Sequence, residues 1–93
     1  MIAVEAHYLL LYDVVDDYVE RRAPFREAHI SLLREAHARG DLLMGGALAD
    51  PADGAVLVFR AREPAESFAA ADPYVTNGLV TRWRVRTWNM VVL

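Results

Sequence analysis

The chain contains no cysteine, and this absence excludes several kinds of chemistry at once. Disulfide bonds, thiolate nucleophiles and zinc sites built from cysteine are all ruled out. A chain without cysteine also suits a reducing compartment, so we expect a cytoplasmic protein.

Basic residues are present but never concentrated. The formal net charge is −3, and no run of Lys or Arg exceeds two consecutive residues. Nucleic-acid-binding surfaces usually carry a basic stripe, so we expect no nucleic-acid partner.

The apolar N-terminal stretch lacks a basic flank and is interrupted by Glu5 and His7. It therefore predicts neither a signal peptide nor a membrane span, and we expect no membrane partner.

The sequence also lacks the common cofactor and nucleophile motifs. It has no P-loop, no G-x-G-x-x-G and no G-x-S-x-G. His29 and His37 are slightly more than two helical turns apart, which is too far for them to share an ion. We therefore expect no metal site and no cofactor.

What is present is the balance of a small globular protein. The 93 residues are 55% hydrophobic and 25% charged, which predicts one domain over residues 1–93. A run that is apolar on successive positions, such as the first strand, indicates burial on both faces. The predicted elements, in order, are a strand Ala6–Tyr12, a helix from Pro24 to Gly40 after a break near Arg22–Ala23, strands Leu42–Leu48 and Ala55–Arg60, a helix from Glu63 with Pro64 at its first position, a short helix Tyr74–Asn77, and a strand Thr81–Leu93.

This order, β-α-β-β-α-β, predicts a ferredoxin-like α+β fold whose antiparallel sheet carries both helices on one face. Strands one and three offer apolar residues to both faces, while two helices cover only one. An uncovered apolar face would be unusually large for a monomer. Pairing two sheets across a two-fold axis covers it, so we predict a homodimer. In the last strand the apolar alternation changes phase near Thr87, which predicts a β-bulge there or a division into two strand segments.

The most informative stretch is Ala71–Trp83, where Asp72 precedes Pro73. One interpretation is local: Asp72 caps a short second helix that begins at Pro73 and ends at Gly78. In the other, the same turn directs the carboxylate into a pocket, where it works with a histidine from an earlier helix. The local pattern permits both.

His29 is the candidate partner, because it lies on the apolar side of the long helix. It is either a core histidine satisfied by one hydrogen bond or a general acid–base residue whose ring Asp72 orients. If the contact is structural, Asp72→Asn and His29→Ala should each cost about 1–3 kcal/mol. If the contact belongs to a functional site, removing it should be close to neutral or stabilising.

Three segments resemble the YciI-like (YCII-related) family of the dimeric α+β barrel superfamily: R-E-A-H at 26–29, G-D-L-L-M-G-G-A-L at 40–48, and D-P-Y-V-x-x-G-L-V at 72–80. The resemblance implies a ferredoxin-like protomer, a barrel-like dimer, and a His/Asp pair at His29 and Asp72. It also matches Arg26 and Tyr74 to family positions. Family members commonly have Gly-Pro where this chain has Gly46-Ala47. One branch is similar to a dehydrochlorinase that acts on chlorinated hydroxyhydroquinones.

These observations predict a cofactor-free lyase or isomerase in which His29 and Asp72 transfer a proton on a small cyclic or aromatic substrate. We expect Phe25, Tyr74 and Trp83 to form apolar walls, with Arg26 or Tyr74 holding a phenolate or carboxylate oxygen. Two alternatives stay open. The protein is otherwise a non-catalytic small-molecule-binding or accessory dimer, or a structural dimer with no catalytic role.

Overall fold

In a computed structural model, which describes residues 2–93, four antiparallel strands form one sheet. The spatial order of the strands is β2-β3-β1-β4, so β1 is central and pairs with both β3 and β4. The strands are β1 (Ala3–Val14), β2 (Leu42–Ala47), β3 (Gly54–Phe59) and β4 (Val80–Val92).

The helices lie in the two connections that cross the sheet. They are α1 (Tyr18–Arg21), a 3-10 turn (Ala23–Phe25), α2 (Arg26–Ala38), α3 (Arg62–Ala71) and α4 (Pro73–Thr76). The two long helices, α2 and α3, pack on the same face of the sheet and against each other. This confirms the predicted α+β, ferredoxin-like arrangement. None of the helices within residues 2–93 is long and apolar enough to cross a membrane.

The core lies between the sheet and the two long helices. Alternate side chains of β1 face this layer, and Leu10 and Tyr12 are both buried there. Leu57 lies directly opposite Leu10 on β3 and is also buried. From the helix side, Phe68 packs on Phe59 with ring centroids 5.6 Å apart. The helix-facing side of β1 therefore fixes where side chains of the helices meet the sheet.

The central strand β1 extends beyond its predicted N-terminal boundary. β1 starts at Ala3 and not at Ala6, because its first residues pair with the end of β4, from Ala3 opposite Val92 to His7 opposite Trp88. This pairing gives the polar lead-in a strand partner on one side. His7 consequently lies inside β1 and is only 8% exposed.

Two local predictions were wrong. β1 and β4 pair without interruption past Thr87, and the register shifts instead between Asp13 and Val14. The change of apolar phase in β4 has another cause: the positions of Trp83 and Trp88 lie on opposite faces of the strand, and each face carries its own apolar residues.

The second error concerns Pro64, which is the third residue of α3 and not the first. Its missing N–H costs nothing there, because the first four N–H groups of a helix have no partner within the helix.

The second face of the sheet carries no helix within residues 2–93. Because side chains alternate, Leu9 and Leu11 of β1 point away from the helices, and Val58 and Val56 of β3 lie opposite them. On the same face Met44 is 66% exposed. We refer to this surface as the open sheet face.

Candidate active site

Asp72 connects α3 to α4. It is the C-cap of α3 and the N-cap of α4, and its backbone is extended, with φ −66° and ψ 122°. Pro73 enforces this extended conformation on the residue before it and then starts the short helix. One Asp72 oxygen, Oδ1, accepts a hydrogen bond from the Tyr74 N–H at 3.0 Å. Asp72 therefore caps α4, as the local interpretation of the sequence predicted.

The same carboxylate is fully buried and accepts two further contacts. The Tyr12 hydroxyl donates to Asp72 Oδ2 at 2.7 Å. His29 Nδ1 lies 2.9 Å from Oδ1 and 3.0 Å from Oδ2. A carboxylate at the C-terminal end of α3 faces the negative end of the helix dipole. Three donors from separate elements offset that unfavourable placement.

His29 comes from the first turn of α2, and aromatic contacts hold its ring. The ring stacks on Tyr74 with centroids 3.9 Å apart and planes 11° apart. Phe68 meets it edge-on at 6.2 Å. Because Nδ1 is engaged by a carboxylate, which only accepts hydrogen bonds, the proton of the neutral ring belongs on Nδ1. The other nitrogen, Nε2, makes no hydrogen bond within residues 2–93.

His29 and Tyr74 form part of the wall of a cavity of about 370 Å³ between the helices and the sheet. This volume lies within the range of sites for small molecules. Polar groups on the wall come from Tyr12, Tyr18, Arg22 and Arg26, and among residues 2–93 no Asp or Glu contributes to the lining. The sheet contributes small residues and Leu57, and the helix contributes Ile30 and Leu33; the small residues are Gly45, Gly46, Ala47 and Ala55.

Small residues on the sheet give the cavity its depth. A Cβ at Gly45 would lie 3.2 Å from Leu57 Cγ, which is a tight contact. Gly46 and Ala47, where the sequence departs from the Gly-Pro expected from the resemblance, lie on the same wall. This departure therefore falls within the cavity lining.

The environment keeps two phenols of the site protonated. Burial raises the pKa of Tyr12 far above its usual value, and the adjacent Asp72 carboxylate raises it further. Burial likewise raises the pKa of Tyr74, with a further contribution from Tyr18, while Arg26 and Arg22 oppose the rise. Both hydroxyls are therefore hydrogen-bond donors at neutral pH.

The structure brings together four of the six residues predicted for the site. His29 contacts Asp72, and Arg26 and Tyr74 lie on the cavity wall. Phe25 packs against the core from the 3-10 turn and is not part of the lining. Trp83 lies opposite Tyr12 on β4, is 36% exposed, and is also outside the lining.

Three polar lining residues were missed by sequence reasoning: Tyr12, Tyr18 and Arg22. The spacing of Tyr18 and Arg22, four residues apart, is the one local signal that was available, because side chains at that spacing share a helix face. Tyr12 has no local signal, since its partner Asp72 is distant in sequence. Within residues 2–93, no group of three His, Asp or Glu side chains is placed to hold a metal ion.

Comparisons with known proteins agree with this architecture. The family model of the YCII-related domain matches residues 6–89. No curated protein sequence matches the chain. Among solved structures, the chain is similar to 5-chloro-2-hydroxyhydroquinone dehydrochlorinase (TftG) from Burkholderia phenoliruptrix AC1100, determined in complex with 2,5-dihydroxybenzoquinone. The TM-score is 0.72 at 21% identity, over 88% of this chain and 92% of that one. At this identity the likeness establishes a shared fold. With most of its length matched by the family model, the chain belongs to the YCII-related domain family.

Proposed function

We propose that this protein is a cofactor-free lyase or isomerase that uses His29 and Asp72 to transfer a proton on a small cyclic or aromatic substrate. The observation that carries the proposal is the contact of His29 Nδ1 with a fully buried carboxylate, at the wall of a cavity large enough for one ring. A base oriented in this way contributes typically about 10²–10⁴-fold to the rate.

In the proposed reaction, Asp72 holds the Nδ1–H of His29, so the lone pair of Nε2 is free to accept a proton. In an isomerisation, Nε2 takes a proton from one atom of the substrate and returns it to another. In an elimination, it takes the proton while the leaving group departs with the electron pair of its bond. Arg26 and the Tyr74 hydroxyl are placed to hold the substrate oxygen on which negative charge develops. Phe25 and Trp83 have no part in this proposal, because neither lines the cavity.

Of the two reactions, the similarity to TftG favours an elimination. TftG is named as a dehydrochlorinase of 5-chloro-2-hydroxyhydroquinone, and its structure holds a dihydroxybenzoquinone. A six-membered ring of this kind suits a cavity of about 370 Å³. We therefore propose chlorinated or otherwise substituted hydroxyaromatic compounds as the first substrates to test.

We also propose that residues 1–93 act as one cytoplasmic domain that forms a homodimer through the open sheet face. The apolar side chains of that face, with Met44 66% exposed and Trp88 44% exposed, support the dimer. A face-to-face pairing would bury this surface against its own copy.

Chloride release from 5-chloro-2-hydroxyhydroquinone tests the proposed reaction. The wild-type protein should accelerate release over buffer, and His29→Asn should lose about 10²–10⁴-fold of that rate. His37→Asn is the matched control, because His37 is exposed and its Nδ1 only bonds the Leu42 carbonyl oxygen at 2.9 Å. This control should retain the full rate.

Three results would contradict the proposal in different ways. Equal rates for the wild type and His29→Asn would remove His29 from the mechanism. Binding of the compound by calorimetry without any chloride release would favour the non-catalytic small-molecule binder. The absence of both binding and turnover would favour the purely structural dimer.

A further inference from the structure

Two arginines face the cavity without a carboxylate partner. Arg22 directly follows α1 and Arg26 begins α2, with one 3-10 turn between them, and both line the cavity. The arginine salt bridges formed within residues 2–93 involve other arginines. Asp72, the buried carboxylate behind the wall, is engaged by His29. Two cations that share a cavity without a counter-ion repel each other, and an anion that binds between them relieves this repulsion.

A continuous series of ring contacts fixes Arg22 relative to His29. The Arg22 guanidinium lies over the Tyr18 ring, 5.3 Å from its centroid. Tyr18 meets Tyr74 edge-on, with centroids 5.7 Å apart and planes 89° apart. Tyr74 in turn stacks on His29. This series places a cation at one end of the wall and the proposed base at the other, and the stacking leaves the N–H edges of the guanidinium available.

A buried donor without a partner lies in the same wall. The Tyr74 residue is 1% exposed, and its O–H donates to no acceptor within residues 2–93, while the Arg26 guanidinium lies close to its oxygen. A buried hydroxyl left in this state is unfavourable, because it has lost its hydrogen bond to water without gaining one in the protein. Arg22 and Arg26 both act on the pKa of this phenol, which is consistent with guanidinium groups close to it. A ligand oxygen that reaches this hydroxyl would satisfy it.

From this arrangement we infer that Arg22 and Arg26 form an oxyanion clamp, with the Tyr74 hydroxyl as a further donor, and that the ligand of the cavity is a planar organic anion. Arg22 is then a specificity-determining residue that selects an ionised ring substituent. The oxyanion belongs either to a carboxylate on the ring or to an ionised ring hydroxyl, because a guanidinium fork binds both. The inference names the substrate class of the proposed enzyme, but the binding it describes does not require turnover.

Calorimetric titration with two matched pairs of probes tests the clamp at neutral pH and low ionic strength. Benzoate and neutral benzamide test a carboxylate. The ionised 2,5-dihydroxybenzoquinone and neutral hydroquinone test a ring oxyanion. At least one anion should bind the wild-type protein about tenfold or more tightly than its neutral counterpart, and added salt should weaken that binding. The pair that shows the preference identifies the source of the oxyanion.

Variants at neighbouring arginines make the test specific. Arg22→Gln should weaken anion binding by about 10- to 100-fold, with the neutral probes little changed. Arg22→Lys should recover part of the loss, since it keeps the charge without the planar fork. Arg21→Gln is the control, because Arg21 pairs with Asp17 at 3.8 Å and does not line the cavity. It should bind like the wild type.

Several outcomes overturn the inference. These are equal affinity for anion and neutral probe, failure of both anions to bind, or wild-type anion affinity in an Arg22→Gln protein that melts like the wild type. If Arg22→Gln fails to fold, Arg22→Lys and the salt dependence decide in the same way. The chloride-release assay with His29→Asn fails or succeeds separately, so loss of the clamp and loss of the proposed reaction are distinguishable.

Discussion

Replacing Asp72 with asparagine separates two roles that one buried carboxylate combines. The side chain keeps its size, so no cavity opens. Its Oδ1 still accepts from the Tyr74 N–H, which preserves the N-cap of α4. The change falls on the second oxygen, Oδ2, which becomes an NH₂ group and turns from an acceptor into a donor.

The contacts of that second oxygen set the expected cost. The amide now faces the Tyr12 hydroxyl, 2.7 Å from the original oxygen, and His29 Nδ1, 3.0 Å from it. The hydroxyl can rotate to accept, but its own proton then has no partner. The loss of one buried hydrogen bond should cost about 1–3 kcal/mol. For a chain of this length, this lowers the melting temperature by about 5–20 °C.

The effect on His29 is of a different kind. His29 Nδ1 is also 2.9 Å from the retained Oδ1, but a proton on Nδ1 would face the new NH₂ group 3.0 Å away. This donor–donor repulsion is removed when His29 carries its proton on Nε2 and Nδ1 accepts from the amide. The nitrogen that faces away from residue 72 then changes from acceptor to donor, and the ring can no longer act as a base. Stability alone therefore does not separate a structural pair from a functional one, contrary to the expectation from the sequence. The tautomer of the ring is the decisive observable.

Long-range proton–nitrogen NMR correlations of the His29 ring measure this tautomer without any substrate. We expect the Nδ1–H form in the wild type and the Nε2–H form in Asp72→Asn. Tyr12→Phe is the matched control, since it removes one donor to Asp72 and leaves the His29 contact in place. It should lower stability by about 1 kcal/mol and leave the tautomer unchanged. An Asp72→Asn protein that keeps the Nδ1–H form would refute the reasoning, as would a Tyr12→Phe protein that loses it.

Three further predictions concern the phenol, the open sheet face and the hairpin. Folding raises the pKa of the Tyr12 phenol above its ordinary value of 10.0. The contribution of this phenol to the free energy of unfolding is therefore fully present below pH 10.0. Above that pH the unfolded chain loses the proton first, so the free energy of unfolding falls by about 1.4 kcal/mol per pH unit. All ten basic residues are arginine, so the difference between alkaline melts of the wild type and Tyr12→Phe measures this slope, and equal slopes would contradict it. In light scattering at micromolar concentration, the wild type should have twice the 10.4 kDa chain mass, and Met44→Glu on the open sheet face should be monomeric. The control Val19→Glu, on exposed helix surface, should stay dimeric. A monomeric wild type would refute the dimer. Gly54→Ala should lower the free energy of unfolding by about 1–3 kcal/mol, because its Cβ would lie 2.6 Å from the Tyr12 carbonyl oxygen. Gly46→Ala, whose Cβ would meet open space, should be nearly neutral in the same denaturant titration. Equal values for the two variants would contradict the clash.

The sequence by itself determined the order of the elements, because the signals that end and begin them are local. Gly40 and Gly78 adopt the positive φ angles, 83° and 77°, that close the segments before them. Asp72 and Pro73 end one helix and begin the next through the restricted backbone before proline. The apolar run of the first strand indicated its burial, and the element order then predicted the ferredoxin-like topology.

The sequence also nominated His29 and Asp72, but only the tertiary structure decided how they meet. Tyr12 and Asp72 are 60 positions apart, yet their side chains share a hydrogen bond. That contact depends on which face of β1 the strand pairing turns toward the helices, and a local pattern does not specify it. Phe25 and Trp83 were expected in the cavity wall, but Tyr18 and Arg22 lie there instead, and the reason is the same. Side chains line a cavity according to the packing of separate elements, and that packing is set by long-range contacts.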